Sequence, residues 1–114
     1  MKLLVCGSRG IDNVKQLYEE LDNYHLTPDD LIICGGAAGV DTNAILYATQ
    51  RGILCEVIDP DFEHHGSRAP LLRDAEMAKM CDQCLAIWDG RSGGTGFTIG
   101  EVKKLGKTVR IVNG

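Results

Sequence analysis

Apolar residues fall in short blocks, separated by stretches in which they recur at helical spacing. Residues 2–6 (KLLVC) form the first block, stop at Gly7 and predict a strand. From there Val14, Leu17, Tyr18, Leu21 and Tyr24 trace one helix face, with Asp12 or Asn13 as the cap. Thr27-Pro28-Asp29-Asp30 marks a turn. Leu31–Cys34 predicts a second strand, stopped by Gly35-Gly36. A second helix, capped by Asp41, runs to about Arg51 and ends at Gly52. Residues 53–58 predict a third strand and 59–67 a polar loop. Pro70 suits the first turn of a third helix reaching about Cys81. Residues 85–88 predict a fourth strand, ended by Asp89-Gly90, and 91–96 a loop rich in glycine and hydroxyls. A fourth helix carries Ile99, Val102 and Leu105 on one face and stops at Gly106; residues 108–112 predict a fifth strand.

Strand and helix alternate throughout, and the strands are apolar on both faces. This predicts an α/β chain with one Rossmann-like domain over 1–114: a five-stranded parallel sheet flanked by helices on both faces. A length of 114 residues fits one domain. A net charge of −4, no Lys/Arg run and an aromatic content of 5% speak against a general polyanion binder and a base-stacking surface, so nucleic acid is disfavoured as a partner. One phosphate is still compatible, because backbone N–H groups can hold it alone. No apolar run approaches the roughly 18 residues of a membrane span, and no membrane partner is expected. The first residues lack the apolar region and cleavage site of a signal peptide. The five cysteines follow no framework spacing. Cys6, Cys34 and Cys55 lie in apolar runs and read as buried thiols of a reducing, cytoplasmic compartment.

In an open parallel sheet, ligands bind beyond the carboxyl ends of the strands. Three glycine-rich stretches fall there: Gly7-Ser8-Arg9-Gly10, then 35–41 with Gly35, Gly36, Gly39 and Asp41, then 89–96 with Asp89, Ser92, Gly93, Gly94, Thr95 and Gly96. Each precedes a helix, whose N-terminus adds free N–H groups and partial positive charge. Arg9 can reach a phosphate with both guanidinium arms, and Ser8 can donate its hydroxyl to the same group. Thr95 and Thr98, with the amides of Gly93, Gly94 and Gly96, predict the main phosphate cradle. Asp41 reads as a ribose ligand, a helix cap or both, and Asp89 as a ribose ligand or a turn residue. The dinucleotide fingerprint and the P-loop motif are both absent, which excludes an ordinary NAD-dependent dehydrogenase or P-loop ATPase; no cofactor is expected.

Gly7-Ser8-Arg9, the stretch 35–41, Arg73-Asp74-Ala75-Glu76-Met77 and the stretch 89–95 occur in this order. Together they resemble the SLOG superfamily, most closely its small YspA-type branch, over nearly the whole chain. The resemblance implies a Rossmann-like fold that binds nucleotides or nucleotide-derived signals. That superfamily also includes the Lonely Guy phosphoribohydrolases, which cleave the base from a nucleoside monophosphate, and the single-strand DNA-binding DNA-processing proteins. Asp74 stands where the branch usually has asparagine. The resemblance implies catalytic roles for Arg73 and Glu101, but Glu101 falls one residue late in the hydrolase motif, a rotation of about 100° on a helix.

The expected function is binding or sensing of a nucleotide-like small molecule. One alternative is an N-glycosidic enzyme, either a nucleoside monophosphate phosphoribohydrolase or a deoxyribosyltransferase; a second is a single-strand nucleic-acid-binding module. No metal site is expected. Cys81 and Cys84 meet at a helix C-terminus, which raises rather than lowers a thiol pKa, and His64 and His65 read as solvated loop residues. The resemblance implies a homo-oligomer, and the second and third helices agree in being apolar beyond a single stripe, as at Ala44, Ile45, Leu46, Tyr47 and Ala48.

Overall fold

A computed structural model describes residues 1–114. Its strands are β1 (Lys2–Gly7), β2 (Leu31–Cys34), β3 (Leu54–Val57), β4 (Gln83–Trp88) and β5 (Thr108–Asn113). Its helices are α1 (Val14–Asp22), α2 (Val40–Arg51), α3 (Phe62–His65), α4 (Ala69–Met80) and α5 (Gly93–Lys104), with a 3₁₀ turn at Gly66–Arg68. All strand pairs are parallel and the order across the sheet is β3-β2-β1-β4-β5. The Rossmann-like fold class is therefore as the alternation predicts.

Strand geometry sends alternate side chains to opposite faces. Leu3, Val5, Ile32, Leu85 and Ile87 pack with Leu17, Leu21, Ala44, Tyr47 and Ala48 of α1 and α2. Leu4, Cys6, Ile33, Cys84 and Ala86 pack on the other face with Met77, Ala78, Ile99 and Val102 of α4 and α5. Each fully buried leucine, isoleucine, valine or methionine among them contributes about 1.5–3 kcal/mol. The reading of every strand as apolar on both faces holds for the inner three and fails at the edges. No residue of β3 or β5 is fully buried, and Leu54 is 64% exposed. An edge strand has a neighbour on one side only, so the helices above it leave its outer flank in water.

Local chemistry explains the element ends. Asn13 caps α1 by accepting from the Gln16 amide at 3.0 Å. Gly52, at φ +67°, ends α2 in the left-handed conformation. The polar loop expected over 59–67 instead contains α3, a single turn started by Asp61, whose carboxylate accepts from the His64 amide at 3.2 Å. A turn so short has no apolar period to betray it. The fourth predicted helix, α5, starts at Gly93, inside the stretch expected as a loop. Gly93, Gly94, Thr95 and Gly96 form its first turn, and the Gly96 amide donates to the Ser92 carbonyl at 3.2 Å. Asp41 is not a helix cap: Gly39 occupies that position, and Asp41 turns back into the preceding loop.

Candidate functional site

β1 and β4 lie side by side, and the chain leaves them in opposite directions across the sheet, toward β2 and toward β5. Loops diverging from such a point leave a crevice at the carboxyl edge. A cavity of about 400 Å³ occupies it. The loop after β1 supplies Gly7, Ser8, Arg9 and Gly10; the β2 loop supplies Gly35, Ala37 and Asp41. Asp89, Ser92, Gly94, Thr95 and Thr98 come from the β4 loop and α5, and Pro70, Leu71, Arg73, Asp74 and Met77 from α4.

Eleven of the sixteen sequence-derived candidates thus line one cavity. Gly36, Gly39, Gly93, Gly96 and Glu101 do not. Gly39 is required by the backbone: its φ is +79°, and a Cβ there would stand 2.6 Å from the Ile11 carbonyl oxygen. Gly96 lies under the Trp88 ring, whose Cζ2 would stand 3.2 Å from a Cβ at that position. Glu101 points elsewhere, its nearest cation being Lys104 at 3.5 Å.

Arg73 joins three segments. Its Nε donates to Asp74 Oδ1 at 2.7 Å, and its Nη1 donates to the carbonyls of Gly35 at 2.8 Å and Ile58 at 3.3 Å. The guanidinium packs so closely on the β2 loop that a Cβ at Gly35 would stand 2.6 Å from Nη1. Arg73 is therefore first a clamp between the β2 loop, the end of β3 and α4.

Two carboxylates are buried against this clamp. Asp41 Oδ2 accepts from the amides of Gly35 at 3.0 Å and Ala37 at 3.2 Å. No hydrogen bond claims its other oxygen, yet no buried side-chain polar atom lacks a partner, so that oxygen is reached from the cavity. Burial pushes the Asp41 carboxyl up to about 6, against the two amides and Arg73, which favour its charge. Asp74 is buried too; burial raises its carboxyl, opposed by Arg73 and by the neighbouring Thr98 hydroxyl. Sequence reasoning noticed Asp74 only as a departure from a family pattern. Its place two turns before the end of a helix gave no hint that it faces a cavity.

The β1 loop, the β4 loop and α5 bring donors to the same cavity. Arg9 is exposed on the rim, and the seven ion pairs of the structure leave it free. No side chain caps the first-turn amides of α5, because the Ser92 hydroxyl is held by Ser8 at 2.7 Å instead. Ser8 also accepts from the Asp89 amide at 3.1 Å, which ties the β1 and β4 loops together. Asp89 closes its own turn: one oxygen accepts from the amides of Ser92 and Arg91, both at 2.8 Å, and these hold its carboxyl below the ordinary value. Thr98 donates back to the Gly94 carbonyl at 3.1 Å.

The remaining sequence candidates lie outside this cavity. All five cysteines are unpaired; Cys55 is half-buried rather than buried, and Cys81 and Cys84 are both in the core. His64 pairs locally with Asp61 at 2.8 Å. No three His, Cys, Asp or Glu side chains are grouped to hold a metal ion, and no helix is long and apolar enough to cross a membrane.

A family model described as the YspA, cpYpsA-related SLOG family matches residues 1–65. The chain is 35% identical over 120 residues to the Gene 61 protein of Mycobacterium phage D29, covering 98% of this chain and 94% of that one. Among solved structures, DNA processing protein A (DprA) from Streptococcus pneumoniae superposes with a TM-score of 0.83 at 19% identity over 99% of this chain. This chain spans only 50% of the length of that DprA chain. The structural-genomics target TM1055 superposes with a TM-score of 0.73 at 24% identity, over 95% of this chain and 71% of its own. Both structural likenesses establish the fold.

Proposed function

This chain belongs to the YspA, cpYpsA-related SLOG family, and from that premise we propose that its carboxyl-edge cavity binds a nucleotide or nucleotide-derived ligand. The observation that supports the reading is that one cavity gathers both donors for a phosphate and an acceptor for a sugar. The free Arg9 guanidinium and the uncapped first turn of α5 suit a phosphate. The open oxygen of Asp41 suits a ribose hydroxyl.

The test is a thermal-shift and calorimetric screen of nucleoside monophosphates, ADP-ribose, NAD and cyclic nucleotides against the wild type and Arg9→Ala. A ligand that binds the folded state raises its melting point by mass action. Loss of Arg9 should weaken a phosphorylated ligand by about 1.5–3 kcal/mol, the range for hydrogen bonds to a charged group. Unchanged affinity removes Arg9 from the site.

A second reading is N-glycosidic cleavage, favoured by the burial of Asp41 and Asp74 at the same cavity. The carboxylate that stabilises positive charge on the ribose would then be one of these two rather than Glu101. Release of free base, abolished by an asparagine at either position without loss of binding, would establish it. The likeness to a DNA-processing protein suggests a third role, on single-stranded nucleic acid; a net charge of −4 favours the small ligand.

A further inference from the structure

The segment between β3 and α4 has a character of its own. Every residue from 61 to 68 is exposed, a run of eight in a chain whose other connections are partly buried. Its hydrogen bonds are local: Asp61 with His64 and His65, the Gly66 amide to the Phe62 carbonyl, and the Ala69 amide to the Gly66 carbonyl. Both of its ends, by contrast, are fixed at the cavity. At the start, the Ile58 carbonyl accepts from Arg73, which lines the cavity. At the end, Ala69 is buried, and Pro70 and Leu71 line the cavity wall. The segment is therefore a strap tied at both ends near the cavity and hydrogen-bonded only to itself between. Pro60 precedes it, and Gly66, at φ +55°, bends it.

The strap also carries the one aromatic side chain of the protein that is exposed, Phe62 at 58%, while Leu71 beside the cavity is 45% exposed. Tyr47 is buried, and Tyr18, Tyr24, Trp88 and Phe97 are half-buried. An aromatic ring left in water, on a segment that starts beside Arg73 and ends at the cavity-lining Pro70 and Leu71, is a surface free to take a flat apolar partner. If Arg9 and the first turn of α5 take the phosphate, the remaining end of the ligand is what such a ring would meet.

We propose that residues 61–68 close over the bound ligand and that Phe62 stacks on a planar base, so that the site takes base-bearing nucleotides in preference to sugar phosphates. This rests on the reading of the cavity as a nucleotide site. Closure buries Phe62 and Leu71 together with one face of the base and sheds their water, while the strap's few local bonds turn with it as a unit. Arg73, holding both the strap's origin and the β2 loop, is the fixed point about which it moves.

The experiment compares adenosine monophosphate, ribose 5-phosphate and inorganic phosphate by calorimetry on the wild type, Phe62→Ala and Phe62→Trp. Loss of a stacked ring should weaken adenosine monophosphate at least about fivefold, the lower end for base–aromatic stacking, and leave the two smaller probes unchanged. Phe62→Trp should retain binding. In parallel, adenosine monophosphate but not ribose 5-phosphate should slow tryptic cleavage after the exposed Arg68. Equal weakening of adenosine monophosphate and ribose 5-phosphate, or no weakening at all, overturns the stacking role. Wild type that binds ribose 5-phosphate as tightly as adenosine monophosphate overturns it too, and leaves the phosphate site standing. Wild type that binds none of the three overturns both.

Discussion

Replacing Asp41 by asparagine should make the protein more stable at neutral pH. The carboxylate is buried, and its displacement from 3.8 to about 6 corresponds to about 3 kcal/mol against the charged form. That figure is a ceiling, because the open oxygen reaches the cavity water. In the folded protein Asp41 keeps its proton up to about pH 6; in the unfolded chain it loses it near pH 4. Between those values the folded state holds more protons, so stability falls as pH rises and the full cost is present above about pH 6. An asparagine has no charge to desolvate, and its amide oxygen can still accept from Gly35 and Ala37. Urea unfolding followed by the fluorescence of Trp88, the sole tryptophan, measures both proteins at pH 4 and pH 8. The two should nearly coincide at pH 4, and at pH 8 the variant should gain about 1–3 kcal/mol. Taking the difference between variant and wild type cancels the other carboxylates, including Asp30 and Asp89, whose lowered pKa values act in the opposite sense. A variant less stable at pH 8, or a difference that does not change with pH, would refute the account of Asp41 as a charge held at a cost.

Arg73→Lys should destabilise the fold by about 1–3 kcal/mol in the same unfolding assay, since an ammonium cannot satisfy Asp74 and two carbonyls from one planar fork; an unchanged urea midpoint would contradict the clamp. Glu101→Gln should leave ligand affinity within calorimetric error, because this side chain faces Lys104 and not the cavity; a tenfold loss would return it to the site. Cys81→Ser combined with Cys84→Ser should cost stability, as buried hydroxyls replace packed thiols, yet leave ligand binding intact; binding lost in a folded double variant would point to thiol chemistry. Light scattering at micromolar concentration should report a mass above that of one chain, because Leu46, Leu54 and Leu72 are exposed and apolar; a monomer would count against self-association.

The architecture was legible because the inner strands are apolar blocks, stopped by glycine or by Asp89-Gly90, and because Gly52 and Gly106 mark the ends of α2 and α5. The lining of the carboxyl-edge cavity was legible at the level of loops, since the topology of a parallel sheet assigns every strand-to-helix turn to one edge. Individual roles were not. Asp41 and Asp89 have the composition of ligands, yet Asp41 staples its own loop and Asp89 its own turn, and only folded coordinates show which oxygens those bonds consume. The start of α5 was hidden because glycine is a poor helix former, and the first turn is held by Ser92 and the packing under Trp88 instead. Asp74 was hidden because its burial depends on α5, which lies beyond it in the sequence. Glu101 sits between the buried Thr98 and Val102, half-exposed beside Lys104 and outside the cavity lining.

The pairing of β1 with β4 bears on how the protein comes into being. Gly7 is registered against Ile87, so the centre of the sheet cannot close until most of the chain has left the ribosome. A nascent segment ending at residue 65 already holds the β1 and β2 loops but none of the α4 or α5 wall. Such a segment exposes the flank of β1 that awaits β4, a hazard for pairing with the wrong chain. Binding competence should therefore appear abruptly and late in synthesis, and a ligand added during translation should select only completed chains.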